Sequence, residues 1–177
     1  MIHPEPIKIA ITGPESTGKT QLALYLSKEL GYAYVAEVAR ELMEKGRKIN
    51  QSNDLVQMAH QQIKAENKYS QNGSIICDTD LTVLYVWCKD KYHHVPLALQ
   101  SLMAHHRYSI TLLCAPDIPW EPDPLRVNPY DRERLFDLYK SVLESHQVQY
   151  SIIHGSGPSR MLLAKKQIEL NIGRNKK

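Results

Sequence analysis

The chain has 177 residues, 42% of them hydrophobic and 23% charged, with a formal net charge of +3. That size and balance describe one globular domain with its own core, and they exclude disordered, collagen-like and membrane-embedded classes. Lys and Arg are scattered rather than gathered into a stripe with interleaved aromatics, so no nucleic-acid partner is expected.

The opening "MIHPEPIKIAIT" lacks a basic segment leading into a long apolar stretch and does not read as a signal peptide. No apolar run approaches the roughly eighteen residues of a membrane span. Cys77, Cys88 and Cys114 lie in apolar surroundings without metal-ligand spacing, and they read as small buried hydrophobes in a cytoplasmic, reducing setting.

In chain order, "IKIAIT" (7–12) is the first expected strand. It runs directly into "GPESTGKT" (13–20), which fits G-x-x-x-x-G-K-[ST] with Gly13, Gly18, Lys19 and Thr20 at the fixed positions. A strand before and the helical "QLALYLSKEL" after it supply the context that a phosphate cradle requires. Glycines let successive amides turn inward toward phosphate oxygens, and the new helix adds its positive end. The expected ATP-binding segment is Gly13, Glu15, Ser16, Thr17, Gly18, Lys19, Thr20 and Gln21. Lys19 would bridge the β- and γ-phosphates, and Thr20 would offer its hydroxyl to Mg²⁺.

The second strand, "AYVAE" (33–37), ends at Glu37, where a carboxylate can take the proton of an attacking hydroxyl or simply sit at a helix start. Arg40, one turn on, is either a phosphate clamp or an ion-pair partner of Glu37 or Glu44. Leu55, Met58, Ala59 and Ile63 keep helical period after the capping candidates Ser52 and Asn53.

The third strand, "SIICD" (74–78), delivers Asp78 in the manner of a Walker B acid, expected to hold Mg²⁺ through water. Asp80 would share its side of the strand if the chain stayed extended; the alternative is a cap on "LTVLYVW". The histidine pairs at 93–94 and 105–106 lack helical zinc spacing.

After the fourth strand, "SITLLCA" (109–115), comes "APDIPWEPDPLRVNP", which holds five of the ten prolines and reads as a long lid or binding loop. The lid is expected over roughly residues 116–134. Arg126, with at least one of Arg132 and Arg134, would place cations over the migrating phosphoryl group; pairing with Asp131, Glu133 and Asp137 is the plainer alternative. Trp120 either stacks on a base or anchors the loop. Leu135, Leu138, Tyr139, Val142, Leu143 and His146 form a helical stripe ahead of the fifth strand, "QYSIIH" (149–154). "HGSGPSR" then contacts adenine or merely turns, and residues 172–177 are expected to fray.

Strands alternating with helices imply α/β architecture: a five-stranded, mainly parallel sheet of the P-loop NTPase type with helices on both faces. "ITGPESTGKT", "EVARE", "DTD" and "PDIPWEPDPLR" together resemble the ribosylnicotinamide kinase domain of NadR-type proteins, over about residues 7 to 171. The resemblance implies a nucleoside-kinase-like fold with a lid loop, and transfer of the ATP γ-phosphate to the riboside's 5′-hydroxyl. It implies ATP and Mg²⁺ as cofactors, a small-molecule nucleoside as partner, and acceptor- and metal-site roles for Glu37, Arg40, Asp78 and Asp80. Lys19, Glu37, Asp80, Arg126 and Arg134 are the candidate catalytic residues, and Glu37, Arg40, Asp80 and Trp120 the candidate acceptor contacts.

Two departures stand out. Val38 occupies a place where the family commonly has an aromatic, and the H-x-G-H adenylyltransferase motif does not occur among the 177 residues. The other readings are a kinase for a different nucleoside and a nucleotide-binding regulatory ATPase module. No feature of the sequence sets an oligomeric state.

Overall fold

A computed structural model gives the architecture of residues 5–124, 126 and 130–174, which are the residues described below. The elements run β1 (Lys8–Thr12), α1 (Lys19–Leu30), β2 (Ala33–Val35), α2 (Val38–Glu44), α3 (Ser52–Ser70), β3 (Ile75–Asp78), α4 (Leu81–Tyr92), α5 (Leu97–His105), β4 (Ile110–Cys114), α6 (Arg132–Ser145), β5 (Tyr150–Ile153) and α7 (Gly157–Arg174).

The strands form one sheet in the order β2-β3-β1-β4-β5. Every pairing is parallel, with Ile9 aligned to Ile76 on one side and to Ile110 on the other. Parallel strands need crossovers, and the crossovers cover both faces, so central strands read as continuous apolar runs. Every residue of β3 and β4 is buried, as that rule requires. On one face Leu22 and Leu26 of α1 and Ala164 and Ile168 of α7 pack on Ile9, Ile11 and Leu112. On the other, α3 to α6 gather Leu55, Leu84, Leu99 and Leu135 around Leu113. Each fully buried leucine of this kind stabilises the fold by roughly 1.5–3 kcal/mol.

β1 lies between β3 and β4, and the chain crosses from one side of β1 to the other as it passes from β3 to β4. Ligands of open α/β sheets bind beyond the carboxyl ends of the strands at such a switch. The loop after β1 therefore opens into a crevice.

Boundaries differ from the sequence expectation in three places. β2 stops at Val35, which leaves Glu37 as the residue immediately before α2, at its N-cap position. The third helix is capped by Gln51 and Asp54 rather than Ser52 or Asn53, because Asp54 reaches back to the Gln51 amide at 3.1 Å. α7 continues through Arg174, where a frayed end was expected, while Asn175–Lys177 lie outside the described residues.

Candidate functional site

Gly13 adopts φ 133°, and a Cβ there would stand 2.7 Å from the Cys114 carbonyl oxygen, so β1 and β4 close together behind the loop. Ser16 (φ 54°) and Gly18 (φ 71°) also take left-handed conformations. The Thr17 hydroxyl donates to the Pro14 carbonyl at 2.8 Å and tightens the turn. α1 begins after Gly18 without a side-chain cap, which leaves its first amides for an anion. The Lys19 ammonium donates to the Gly13 and Pro14 carbonyls at 3.0 and 2.8 Å, across the mouth of the loop. Glu15, Ser16, Thr17, Thr20 and Gln21 all fall on this loop or the first turn of α1, as the motif requires.

Arg160 braces the cradle from behind, a role that sequence reasoning missed. Only 5% exposed, it donates to the Thr17 carbonyl at 2.8 Å, the Gly155 carbonyl at 2.7 Å and Asp117 Oδ1 at 2.9 Å. Nothing local in "HGSGPSR" marks one arginine for burial against a loop 143 residues away. Beside it, Gly18, Gln21, Ile118, Pro119, Gly157 and Met161 line a cavity of about 190 Å³.

Asp78 ends β3. The Tyr34 hydroxyl donates to its Oδ2 at 2.9 Å, while Oδ1 is buried without a hydrogen-bond partner. Burial, reinforced by the adjacent carboxylate, holds the Tyr34 phenol well above its ordinary range, so it stays a donor. An unpartnered carboxylate oxygen and the exposed Thr20 hydroxyl suit Mg²⁺, a hard cation that takes oxygen ligands and keeps several waters. Among the described residues no group of three or more His, Cys, Asp or Glu forms a protein-only metal cage.

Asp78 and Asp80 do not share a side. Thr79 takes φ 92°, an outlier for a β-branched residue, and this breaks the extended path on which the expectation rested. Asp80 turns inward and caps α4, accepting from the Thr82 amide at 3.1 Å and the Thr82 hydroxyl at 2.6 Å. It is 2% exposed and lines a separate cavity with Thr82, Tyr108 and Thr111. Burial holds its carboxyl above the usual range. Of its two readings the structure takes the cap, and the catalytic and acceptor-contact roles find no place for it in the cleft of Glu37.

That cleft, about 130 Å³, opens beside the loop and is lined by Glu15, Glu37, Arg40, Trp87, Asp90 and Tyr139, among others. Glu37 stands at the N-cap position of α2 but makes no capping hydrogen bond, so its carboxylate is not engaged by the helix. Burial pushes its pKa up, against the opposing pull of Lys19 and Arg40. Arg40 pairs with Glu44 at 3.3 Å and with Asp123 of the proline-rich loop at 2.8 Å, which ties that loop to the side of the cleft. Trp87 was not singled out in the sequence. Val83, Trp87 and Asp90, at i, i+4 and i+7 on α4, all face the cleft, so helical spacing was the signal available.

The arginines divide. Arg126 donates to the Ser16 hydroxyl at 3.4 Å and the Glu121 carbonyl at 2.6 Å, and so reaches the phosphate loop. Arg132 donates to the Ser16 and Ile118 carbonyls, both at 3.0 Å. Arg134 instead pairs with Asp90 and Asp131 and is 54% exposed, so it braces α6 against α4 and does not reach the loop. Trp120 stacks under Arg132, 5.8 Å from ring centre to guanidinium, and acts as an anchor rather than a lining of either cavity. Leu125 and Val127–Pro129 of the expected lid lie outside the described residues.

Fold and site together define a P-loop nucleotide-binding α/β protein. A family model described as an AAA domain matches residues 8–160, and the chain belongs to that family. No curated protein matches the chain. Among solved structures, a NadR protein in complex with NAD and AMP-PNP superposes with a TM-score of 0.78 at 20% identity, over 96% of this chain and 50% of that one. A NadR protein in complex with NR gives 0.76 at 19% identity, over 96% and 52%. Thymidylate kinase from Ehrlichia chaffeensis gives 0.65 at 17% identity, over 93% and 100%. The likeness is one of fold, and the chain spans about half the length of the NadR structures. No helix among the described residues is long and apolar enough to cross a membrane.

Proposed function

We propose that the protein is an ATP-dependent small-molecule kinase that phosphorylates the 5′-hydroxyl of nicotinamide riboside to give nicotinamide mononucleotide. One observation carries the reading: a cleft with an uncommitted, half-buried carboxylate, an arginine and a tryptophan opens directly beside a phosphate loop. The fold likeness to NadR and nucleotide kinase structures supports it. A pure nucleotide switch has no use for such a second cleft.

Bound ATP supplies the phosphoryl group; Thr20 and Asp78 are the residues that would hold Mg²⁺, which would neutralise charge on the phosphates. Glu37 accepts the 5′-hydroxyl proton as that oxygen bonds to the γ-phosphorus and the bond to the β–γ bridging oxygen breaks, releasing ADP. Lys19 and Arg126 set positive charge around the phosphate loop. Trp87 offers a flat face to the acceptor's ring, which supplies the aromatic that Val38 does not. Arg40, which lines the cleft, presents a donor to the acceptor's hydroxyls.

A thermal-shift screen of ribosides with and without a non-hydrolysable ATP analogue tests the pairing of sites, since a ligand stabilises the state it binds. Nicotinamide riboside is expected to raise Tm further once the analogue is present. A larger response to a purine or pyrimidine nucleoside would move the assignment to that base.

A further inference from the structure

The side chains that turn back to cap a helix are short, those of Ser, Thr, Asp and Asn, and they accept from its second or third amide. Glu37 makes no such bond. The Val38 amide, one of the four lacking an intrahelical partner, donates to Gln62 Oε1 on α3 at 3.1 Å. Gln62 is 3% exposed, and its other end is fixed, since Nε2 donates to Glu66 Oε1 at 3.0 Å one turn further along α3. Glu66 is fully buried, accepts from the Tyr108 hydroxyl at 3.0 Å, and lies 2.6 Å from His106 Nε2.

These bonds form one line: the Tyr108 and His106 side chains, the Glu66 carboxylate, the Gln62 amide, the first amide of α2. The line determines which way Gln62 points, because its oxygen faces α2 only while its nitrogen faces a carboxylate. Filling the space between α3 and the sheet requires nothing that Leu or Met would not supply, and buried polar groups cost free energy unless every one is paired.

We propose that Gln62, held by Glu66, is a positioning residue that fixes the start of α2 by its first amide, and with it the places of Glu37 and Arg40 in the cleft. The inference rests on the kinase reading for its catalytic consequence, though not for its geometry. Gln62 touches neither nucleotide nor acceptor; it acts through α2, which carries both Glu37 and Arg40.

The test is Gln62→Met, which keeps the volume and removes the acceptor. A misplaced catalytic group loses on the order of 10–10² in rate, so kcat is expected to fall by that factor with the KM for ATP unchanged. In a Glu37→Gln background the same change is expected to add less than about twofold, because residues acting through one group are not additive. Equal losses in both backgrounds, or wild-type kcat in the folded variant, overturn the proposal. Gln62→Asn, one methylene too short to reach both partners, serves if the Met variant does not fold and is expected to move kcat in the same direction. A crystal structure of either variant needs no acceptor. A displaced start of α2, with Glu37 shifted relative to the phosphate loop, supports the positioning role, and an unmoved Glu37 overturns it. If wild-type protein phosphorylates no nucleoside, the kinase reading fails by itself, and the crystal structure still decides the positioning role.

Discussion

The phosphate loop and the neighbouring cleft, the proposed acceptor site, meet at Pro14 and Glu15, yet they are built by opposite means. The loop is a run of consecutive residues whose backbone does the work, with Gly13 and Gly18 in conformations that side chains resist. Its outside help is a few donors from afar: Arg160 on Thr17, and Arg126 and Arg132 on Ser16. The cleft has no contiguous core. Glu37 and Arg40 come from the start of α2, Trp87 from α4 and Tyr139 from α6, so side chains rather than main chain define it. A backbone site binds a feature common to all nucleoside triphosphates. A side-chain site selects one acceptor, and it is where a change of residue changes the substrate.

That contrast can be broken at several points. The largest effect belongs to Lys19→Ala, which removes a cation from the transferring group; a loss of about 10³–10⁵ in kcat is expected by analogy with other such cations. Far-UV circular dichroism of the variant should match wild type, because among the described residues Lys19 bonds only to loop carbonyls.

Glu37→Gln is expected to cost about 10²–10⁴ in kcat. Burial raises the Glu37 pKa, and a base must be ionised, so wild-type kcat/KM should fall as pH drops through a value above the ordinary glutamate range. The same shift has a stability consequence. A carboxyl whose pKa rises on folding destabilises the folded protein as pH climbs from the unfolded value through the folded one. The Gln variant should therefore melt at or above the wild-type temperature above that window, with the advantage fading below it. Differential scanning calorimetry across pH checks the sign.

Trp87→Ala separates the two sites more gently. An aromatic pair is worth about 0.5–1.5 kcal/mol, so acceptor KM should rise roughly 2- to 10-fold while the KM for ATP stays put. Equal changes in both would show that the tryptophan holds the whole crevice rather than the acceptor. Arg134→Ala is expected to do least. Its ion pairs to Asp90 and Asp131 are half-exposed, so a loss of about 1 kcal/mol or less in stability with kcat intact is expected by chemical denaturation and steady-state assay.

The same contrast explains what the sequence disclosed. Strand cores were readable because parallel strands covered on both faces leave continuous apolar runs, and the cradle was readable because its residues are adjacent. The fate of Asp80 was not, since it turns on Thr79 holding φ 92°, which no side-chain type announces. Arg134 and Arg132 look alike in "DRERLF", but two positions along α6 send one to Asp90 and the other to the Ser16 carbonyl. Arg160 and Trp87 depend on contacts across the fold, and helix spacing alone pointed toward the second.

The central claim is that a seated triphosphate faces an alcohol in the neighbouring cleft. Phosphorus NMR of the wild-type protein with ATP, Mg²⁺ and nicotinamide riboside reads this directly. The expected spectrum shows ADP and a 5′-phosphomonoester growing in equal amounts. ADP with inorganic phosphate alone, whichever nucleoside is supplied, would contradict the account.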